Sequence, residues 1–344
     1  MKQTPLISVV MSIYHEPILW ISQAIDSILN QSFSDLEFVI VNDNPSRLEN
    51  YLLLDRYEKA DERVHIIHNA MNLGLTCSLN IAIKATNGRY IARMDADDVS
   101  LPERLKTQYL FLEKRRDVVV CGSWGYLLKN IHVPFHEIKR TPCNDQEVAI
   151  FSLFANPIIH SSVMIRKDIL EQEAYDVKFK KAQDYVLWGK IICENRSIYN
   201  IPAPLIKYRI SSMQISSNFT NEQCITANEV RKRLLQRLLP MVTISEVDLH
   251  NQICNLQCSD GYNILHVEKW LCRIQELLVN LYPLNEQYIC TLISSYWVNF
   301  CIRRGQIGTC LKSVLCKMPL YVILLKYAKY KMRYLNCLLY TSPS

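Results

Sequence analysis

The sequence predicts an α/β fold: a mostly parallel sheet flanked by helices, with a helical region at the C-terminal end. Three observations predict it. Apolar runs of strand length alternate with helically spaced apolar residues as far as Cys121. Those runs are nearly continuous, as in strands covered on both faces. From about Asn221 strand signals stop and long helical patterns take over.

The elements follow in order. Leu6–Ile13 reads as a buried strand, and Ile18, Ile21, Ile25, Ile28 and Leu29 recur at helical spacing. Leu36–Val41 is a second strand, closed by the turn residues Asn42-Asp43-Asn44-Pro45. A helix over Leu48–Lys59, a strand over Val64–Ile67 and a helix over Thr76–Ala85 come next. Tyr90–Met94 is the fourth strand, Leu101–Lys114 a helix with Pro102 in its first turn, and Val118–Cys121 a fifth strand. Later helices are expected over Glu222–Leu239, Ser245–Gln257, Tyr262–Leu281, Glu286–Ile302 and Thr309–Met332. This suggests two domains, residues 1–216 and 217–344. Residues 337–344 look like translated adapter sequence and are given no function.

The chain has 344 residues, 49% of them hydrophobic and 21% charged, a globular composition. No apolar run is long enough to span a bilayer. The N-terminus enters a strand without a signal-peptide pattern, which points to the cytoplasm. The 13 cysteines show no regular pairing and are expected as reduced thiols. Cys254 and Cys258 share a helical spacing but lack partner ligands for zinc. The net charge is +6, yet eight basic and no acidic residues follow Glu286. The remainder is slightly acidic and carries no nucleic-acid motif, so nucleic acid is not an expected partner. The basic tail, with Tyr321–Leu325 beside Lys326 and Lys329, suits either a solvated face or an anionic membrane surface.

The chemistry concentrates in one run, Tyr90-Ile91-Ala92-Arg93-Met94-Asp95-Ala96-Asp97-Asp98. A strand ends abruptly in three carboxylates, which a fold keeps together only around something positive. Carboxylate oxygens suit hard cations such as Mn2+ or Mg2+, and such ions usually also hold a substrate phosphate. A calcium loop would need a following Gly and a closing Glu; Val99, Ser100 and Leu101 stand there instead. An aspartyl-phosphate phosphatase would carry its acids on the first strand. With only eight glycines, the chain lacks both Gly-rich phosphate loops. Because ligands on parallel sheets bind beyond the carboxyl ends of strands, Asn42, Asp43 and Asp95–Asp98 are expected to border one crevice.

These motifs, in this order, resemble a bacterial glycosyltransferase of family 2 with the GT-A fold, over Ile7 to about Ser216. Val10-Met11-Ser12-Ile13-Tyr14-His15-Glu16 is similar to the family's Pro-x-Tyr-Asn-Glu, with Ser12 for Pro and His15 for Asn. The resemblance implies that Tyr14 packs on the donor's base and Glu16 approaches its ribose. Val41-Asn42-Asp43-Asn44 stands where the family often shows Asp-Asp-Gly or Asn-Asp-Gly, which implies that Asp43 accepts from uracil N3–H, an Asx-turn without ligand being the other reading. Asn44 replaces Gly and would tolerate a left-handed turn. Asn72-Leu73-Gly74 through Asn80 resembles a donor-side segment. The acidic run matches the metal motif, with Asp97 as direct ligand, Asp95 orienting metal or ribose, and Arg93 offsetting the cluster near the nucleotide. Ala182-Gln183-Asp184-Tyr185-Val186-Leu187-Trp188 resembles Glu-Asp-Tyr-x-Leu-Trp and makes Asp184 the catalytic base; Gln183 stands where Glu is common, and helix capping is the other reading of Asp184. Asn156-Pro157-Ile158-Ile159-His160-Ser161-Ser162 resembles a segment facing the acceptor, a satisfied structural His being the other reading of His160; with it Gln183, Trp188 and Arg209 would face acceptor or diphosphate, and Ser211 stands where the family has His. The resemblance implies an inverting, metal-dependent enzyme using a nucleoside-diphosphate sugar, with UDP favoured, and a glycan or lipid-linked acceptor in surface-polysaccharide synthesis. A non-catalytic nucleotide-sugar- or membrane-binding protein on the same scaffold is the alternative. A pyrophosphorylase would open with a Gly-rich loop, and Leu6–Glu16 has no Gly.

Overall fold

The computed structural model of the chain describes residues 4–128, 137–210, 221–256 and 263–328. It begins β1 (Ile7–Ile13), α1 (Ile18–Leu29), β2 (Leu36–Asn42), α2 (Leu48–Ala60), β3 (Val64–His68), α3 (Leu75–Ala85), β4 (Tyr90–Asp95). Period-two alternation makes the layers. Ile7, Val9, Met11 and Ile13 join one core with Ile21, Ile25 and Ile28 of α1. Val10 joins the other, with Leu79 and Ala82 of α3. In β2, Phe38 and Ile40 face the first core, Val39 and Val41 the second. Burial of each such side chain contributes about 1.5–3 kcal/mol.

β3, β2, β1 and β4 are neighbours and parallel. Ile13 lies opposite Asn42, Ser12 opposite Asp95, and Asn42 opposite His68. The four strands therefore stop level, and Tyr14, Asp43 and Asp95 come to one rim.

The chain continues through β5 (Val99–Ser100), α4 (Arg104–Lys114), β6 (Val118–Leu128), β7 (Ile138–Lys139), α5 (Asp145–Ser152), β8 (Met164–Arg166), α6 (Lys167–Gln172), α7 (Gln183–Cys193) and β9 (Ser197–Arg209). The sheet order is β3-β2-β1-β4-β8-β6-β9-β5, with β7 on β6. β8 is antiparallel to both β4 and β6, and β9 is parallel to β6. The expected mostly parallel sheet thus forms with β8 inserted, and the fifth strand runs on to Leu128. β7, β8 and β9 have no counterpart in the sequence reading.

The described residues divide into two compact units. One comprises the chain up to Val148 with Asn156–Val230; the other comprises Ala149–Ala155 and the chain from Arg231. The division falls inside α8 (Asn221–Leu238), whereas the expected 216/217 boundary lies outside the described residues.

The second unit holds α9 (Ile244–Cys254), α10 (Ile264–Leu281), α11 (Glu286–Arg303), α12 (Ile307–Lys312) and a helix over 320–328. Thr243 and Glu246 cap α9 reciprocally. Val267, Trp270, Leu271, Ile274 and Leu278 form the buried stripe of α10. Between them His250 is fully buried, its Nε2 2.7 Å from the Leu153 carbonyl and its Nδ1 accepting from Trp270 Nε1 at 3.1 Å. The single helix expected over Thr309–Met332 is broken: α12 stops at Lys312 and the next helix starts after Pro319, whose ring and missing N–H fit only a helix start. Cys258, Ser211 and residues 329–344 lie outside the described residues, and the described cysteines are free thiols.

Candidate active site

β4 delivers the acidic run to the rim. Carboxylate oxygens of Asp95, Asp97 and Asp98 lie within 4.8 Å of one another, the one such cluster among the described residues. Charges this close repel, and buried cations oppose the repulsion. Arg93, 3% exposed, is ion-paired with Asp95, and its Nε has no hydrogen-bond partner. Arg93 thus lies beneath the turn rather than open to a nucleotide. Behind it Arg104, fully buried, donates from Nη2 to the carbonyls of Arg93 at 2.7 Å and Val163 at 3.2 Å. Burial lowers Arg104 to about 10, which leaves it cationic at neutral pH.

Asp98 differs from its neighbours. It is fully buried, with Oδ2 accepting from Ser161 Oγ and Oδ1 from the Arg209 N–H at 2.7 Å. Burial, then the charges of Asp95 and Asp97, push its carboxyl well above the usual range. Arg209, expected to face acceptor or diphosphate, is turned to this job instead. Its Nε donates to the Asp97 carbonyl at 2.6 Å, its Nη2 to Gln23 at 2.9 Å, and its guanidinium lies 4.5 Å from the Trp20 ring centre. Asp95 and Asp97 remain partly exposed at the rim. An all-oxygen pair over a buried arginine fits a hard divalent cation, Mn2+ or Mg2+.

Just past the end of β2, Asp43 is 3% exposed and clamps the loop before α3. Its Oδ1 accepts from Asn69 Nδ2 and the Leu73 N–H, both at 2.8 Å, and its Oδ2 from the Gly74 N–H at 2.8 Å. Gly74 has φ +82°, a backbone that Gly adopts without a Cβ penalty. Asn72 is exposed and also accepts from Gly74 N–H, at 3.0 Å. Tyr14 is 39% exposed, and its N–H donates to Glu16 Oε2 at 2.7 Å. Burial, opposed by that bond, pushes Glu16 above its usual value. Asn44 does not take the expected left-handed turn; its Nδ2 donates to the Tyr14 carbonyl at 3.2 Å, tying β2 to β1. Asn80 spends both amide ends on Tyr175, donating to its carbonyl at 2.7 Å and accepting from its N–H at 3.1 Å, so it positions a loop and does not reach toward a donor.

The third component is α7. Its N-cap is Ala182, in a left-handed conformation with φ 52°, and no side chain caps the helix. Asp184 is therefore not the cap. It sits in the first turn, where Asn156 Nδ2 donates to its Oδ2 at 2.6 Å. Burial pushes its carboxyl above the usual value, the Asn156 bond opposes this, and the charges of Arg93 and Asp95 both act on it. The base candidate and the acidic turn thus share one electrostatic field.

Two residues expected near acceptor stand behind the site. Trp188 is fully buried in the core on the α3 side of the sheet. His160 Nε2 is 2.7 Å from the Tyr175 hydroxyl, and its ring meets Trp188 edge-on. Burial, then the charge of Arg93, holds this imidazole well below its usual value, so it is neutral. Gln183 is 5% exposed. Sequence reasoning placed Asn156 and Ser161 in an acceptor-facing segment without their roles as supports of Asp184 and Asp98, and missed Arg104 and Lys139 on β7. The Lys139 ammonium lies 4.3 Å from the Tyr208 ring centre and its charge acts with those of Asp98 and Asp184. A lone Lys in a two-residue strand carries no pattern that would have found it.

The sequence pattern of Glycosyl transferase family 2 matches residues 8–172. An uncharacterised glycosyltransferase of Methanocaldococcus jannaschii is 35% identical over 206 residues, 60% of this chain and 71% of the relative. The O-antigen biosynthesis glycosyltransferase WbnJ of Escherichia coli is 35% identical over 209 residues, 60% of this chain and 80% of the relative. Among solved structures, S. aureus TarS 1–349 with UDP-GlcNAc superposes with a TM-score of 0.58 at 17% identity, covering 87% of this chain and 92% of its own. The mannosyltransferase PcManGT of Pyrobaculum calidifontis, solved with GDP-Man and Mn2+, gives 0.52 at 14% identity, covering 88% of each chain. At such identities the structural likeness shows the fold.

Proposed function

The chain belongs to glycosyltransferase family 2, and from that premise we propose that it transfers a sugar from a nucleoside-diphosphate sugar to an acceptor hydroxyl with inversion, Asp184 acting as the base. The observation that carries the reading is the pairing of two unlike carboxylate environments in one field. Asp95 and Asp97 stand partly exposed over a buried arginine, while Asp184 is raised and oriented by Asn156. Asp95 and Asp97 would hold the cation. When bound it neutralises charge on the leaving diphosphate, worth several kcal/mol.

The protein's own groups do the rest. Asp43 has about four acceptor sites on its carboxylate and uses three on the loop, which leaves one for a base N–H. This favours uracil, and the UDP-GlcNAc bound by TarS is in keeping with it. Tyr14 offers a partly exposed ring beside it for stacking. Asp184 accepts the acceptor's hydroxyl proton as the oxygen attacks the anomeric carbon and the nucleoside diphosphate leaves; Asn156 and the Tyr185 main-chain N–H hold the carboxylate in place. A raised basicity suits that role, because the ideal base titrates near the working pH.

Relatives named for O-antigen and amylovoran biosynthesis support a place in surface-polysaccharide synthesis, with a glycan or lipid-linked molecule as the proposed acceptor. None of the described helices is long and apolar enough to cross a membrane. The test is a panel of nucleotide sugars assayed for hydrolysis and transfer with Mn2+, using the wild type and Asp184→Asn. The reading requires the variant to bind UDP as before and to lose transfer; full transfer by the variant removes Asp184 from the mechanism.

A further inference from the structure

The helix over 320–328 is built inside out. Leu320, Tyr321, Leu324, Leu325 and Ala328 fall at i, i+1, i+4, i+5 and i+8, one continuous face. The four large ones are 54%, 66%, 51% and 58% exposed. The face turned inward carries Ile323, fully buried, and Lys326, whose ammonium lies 3.2 Å from Ser295 Oγ and 3.4 Å from Asn299 Oδ1 on α11. A helix bathed in water places its apolar residues the other way. Lys326 is thus not the headgroup contact that the sequence suggests; it has been withdrawn to leave the outer stripe purely apolar. Just upstream in the same unit, Leu311 and Val314 are 46% and 70% exposed, with Lys312 and Lys317 exposed beside them in sequence.

We infer that this stripe lies in the headgroup–acyl boundary of an anionic bilayer. Charge decides between occupants. Eight basic and no acidic residues follow Glu286, so the stripe is set in a uniformly cationic stretch. Anionic lipid meets both features at once: acyl chains cover Leu320, Leu324 and Leu325, headgroups pair with Lys312 and Lys317, and Tyr321 suits the interface between. A second copy of the chain would bring like charge against like charge. The inference rests on the helical unit alone and stands apart from the reading of the active site.

Flotation of the full chain with vesicles tests it. Wild type is expected to float with phosphatidylglycerol–phosphatidylcholine vesicles and not with phosphatidylcholine alone, and to be released as salt is raised. Leu324→Ser with Leu325→Ser, both at exposed positions, should lower the partition coefficient about tenfold or more without changing the melting temperature. Leu320→Ser with Tyr321→Ser repeats the test should the first pair melt early. The inference is overturned if wild type stays in the soluble fraction with both vesicles, if either folded double variant floats as wild type does, or if wild type is a dimer that the substitutions split.

Discussion

Asp184 carries opposed demands. A buried carboxylate is costly as an anion, and folding therefore favours its protonated form. Its stabilising contribution is complete below the ordinary carboxylate value of 3.8 and is lost as pH rises through the raised value. Asp184→Asn keeps an acceptor for Asn156 and removes the charge. The variant should melt higher than wild type at pH 7, with the gain vanishing in acid, while transfer falls about 10²–10⁴-fold. Calorimetry at two pH values beside a transfer assay reads both. With Asp184 in the proposed role of base, the same shift is expected to place the acid limb of the wild-type rate profile above 3.8. At the acidic turn the resemblance assigns roles to Asp95 and Asp97, but only the fold shows what Asp98 does. Asp98 is committed to Ser161 and the Arg209 main chain, more than sixty and one hundred residues away in sequence. No local pattern could show that. For Asp97→Ala the expectation is loss of Mn2+-dependent UDP affinity, measured with and without chelator, against unchanged metal-free binding.

The elements that position the donor side are short loops held by side chains. Gly74 joins a left-handed backbone to a hydrogen bond on Asp43. Nothing lies within 4 Å of the place where its Cβ would be, so Gly74→Ala meets no clash; at φ 82° and ψ 161° it enters a region that is essentially glycine's alone, a strain of about 1–3 kcal/mol. Loop and carboxylate should loosen together: UDP affinity drops, while kcat at saturating donor stays near wild type. Titration calorimetry with saturation kinetics separates the two. Elements were legible wherever period and turn chemistry agreed. From β1 to β4 the alternation and the polar turns gave both the strands and the rim that Tyr14, Asp43 and Asp95 share. β8 has three residues and β9 contains Pro202 and Pro204, so neither shows an alternating run. Both become strands through ladders to distant neighbours, β8 between β4 and β6, β9 between β6 and β5. The break at Pro319 was readable but masked by apolar residues spaced helically across it.

At the scale of the whole chain, the two units carry different pH sensitivities. In the helical unit His250 is locked as one neutral tautomer between Leu153 and Trp270, and burial, opposed in part by the Leu153 bond, holds it at about 4. The unfolded chain takes up the proton first, near 6.5, so this unit should be fully stable above that pH and lose about 3 kcal/mol as pH falls toward 4. Hydrogen exchange in α9 and α10 at pH 7.5 and 4.5 would show the loss locally, and His250→Gln should flatten it. The family and the α/β class were visible from motif order, whereas the supports behind each motif needed the folded chain. One of those supports has a practical corollary. The N–H of the last residue of β9 completes the coordination of a carboxyl that left β4 more than a hundred positions earlier. Anyone trimming the gene to a minimal fragment around this turn must therefore keep codon 209: a piece ending ahead of it would retain Asp95, Asp97 and Asp98 yet free the turn that aims them.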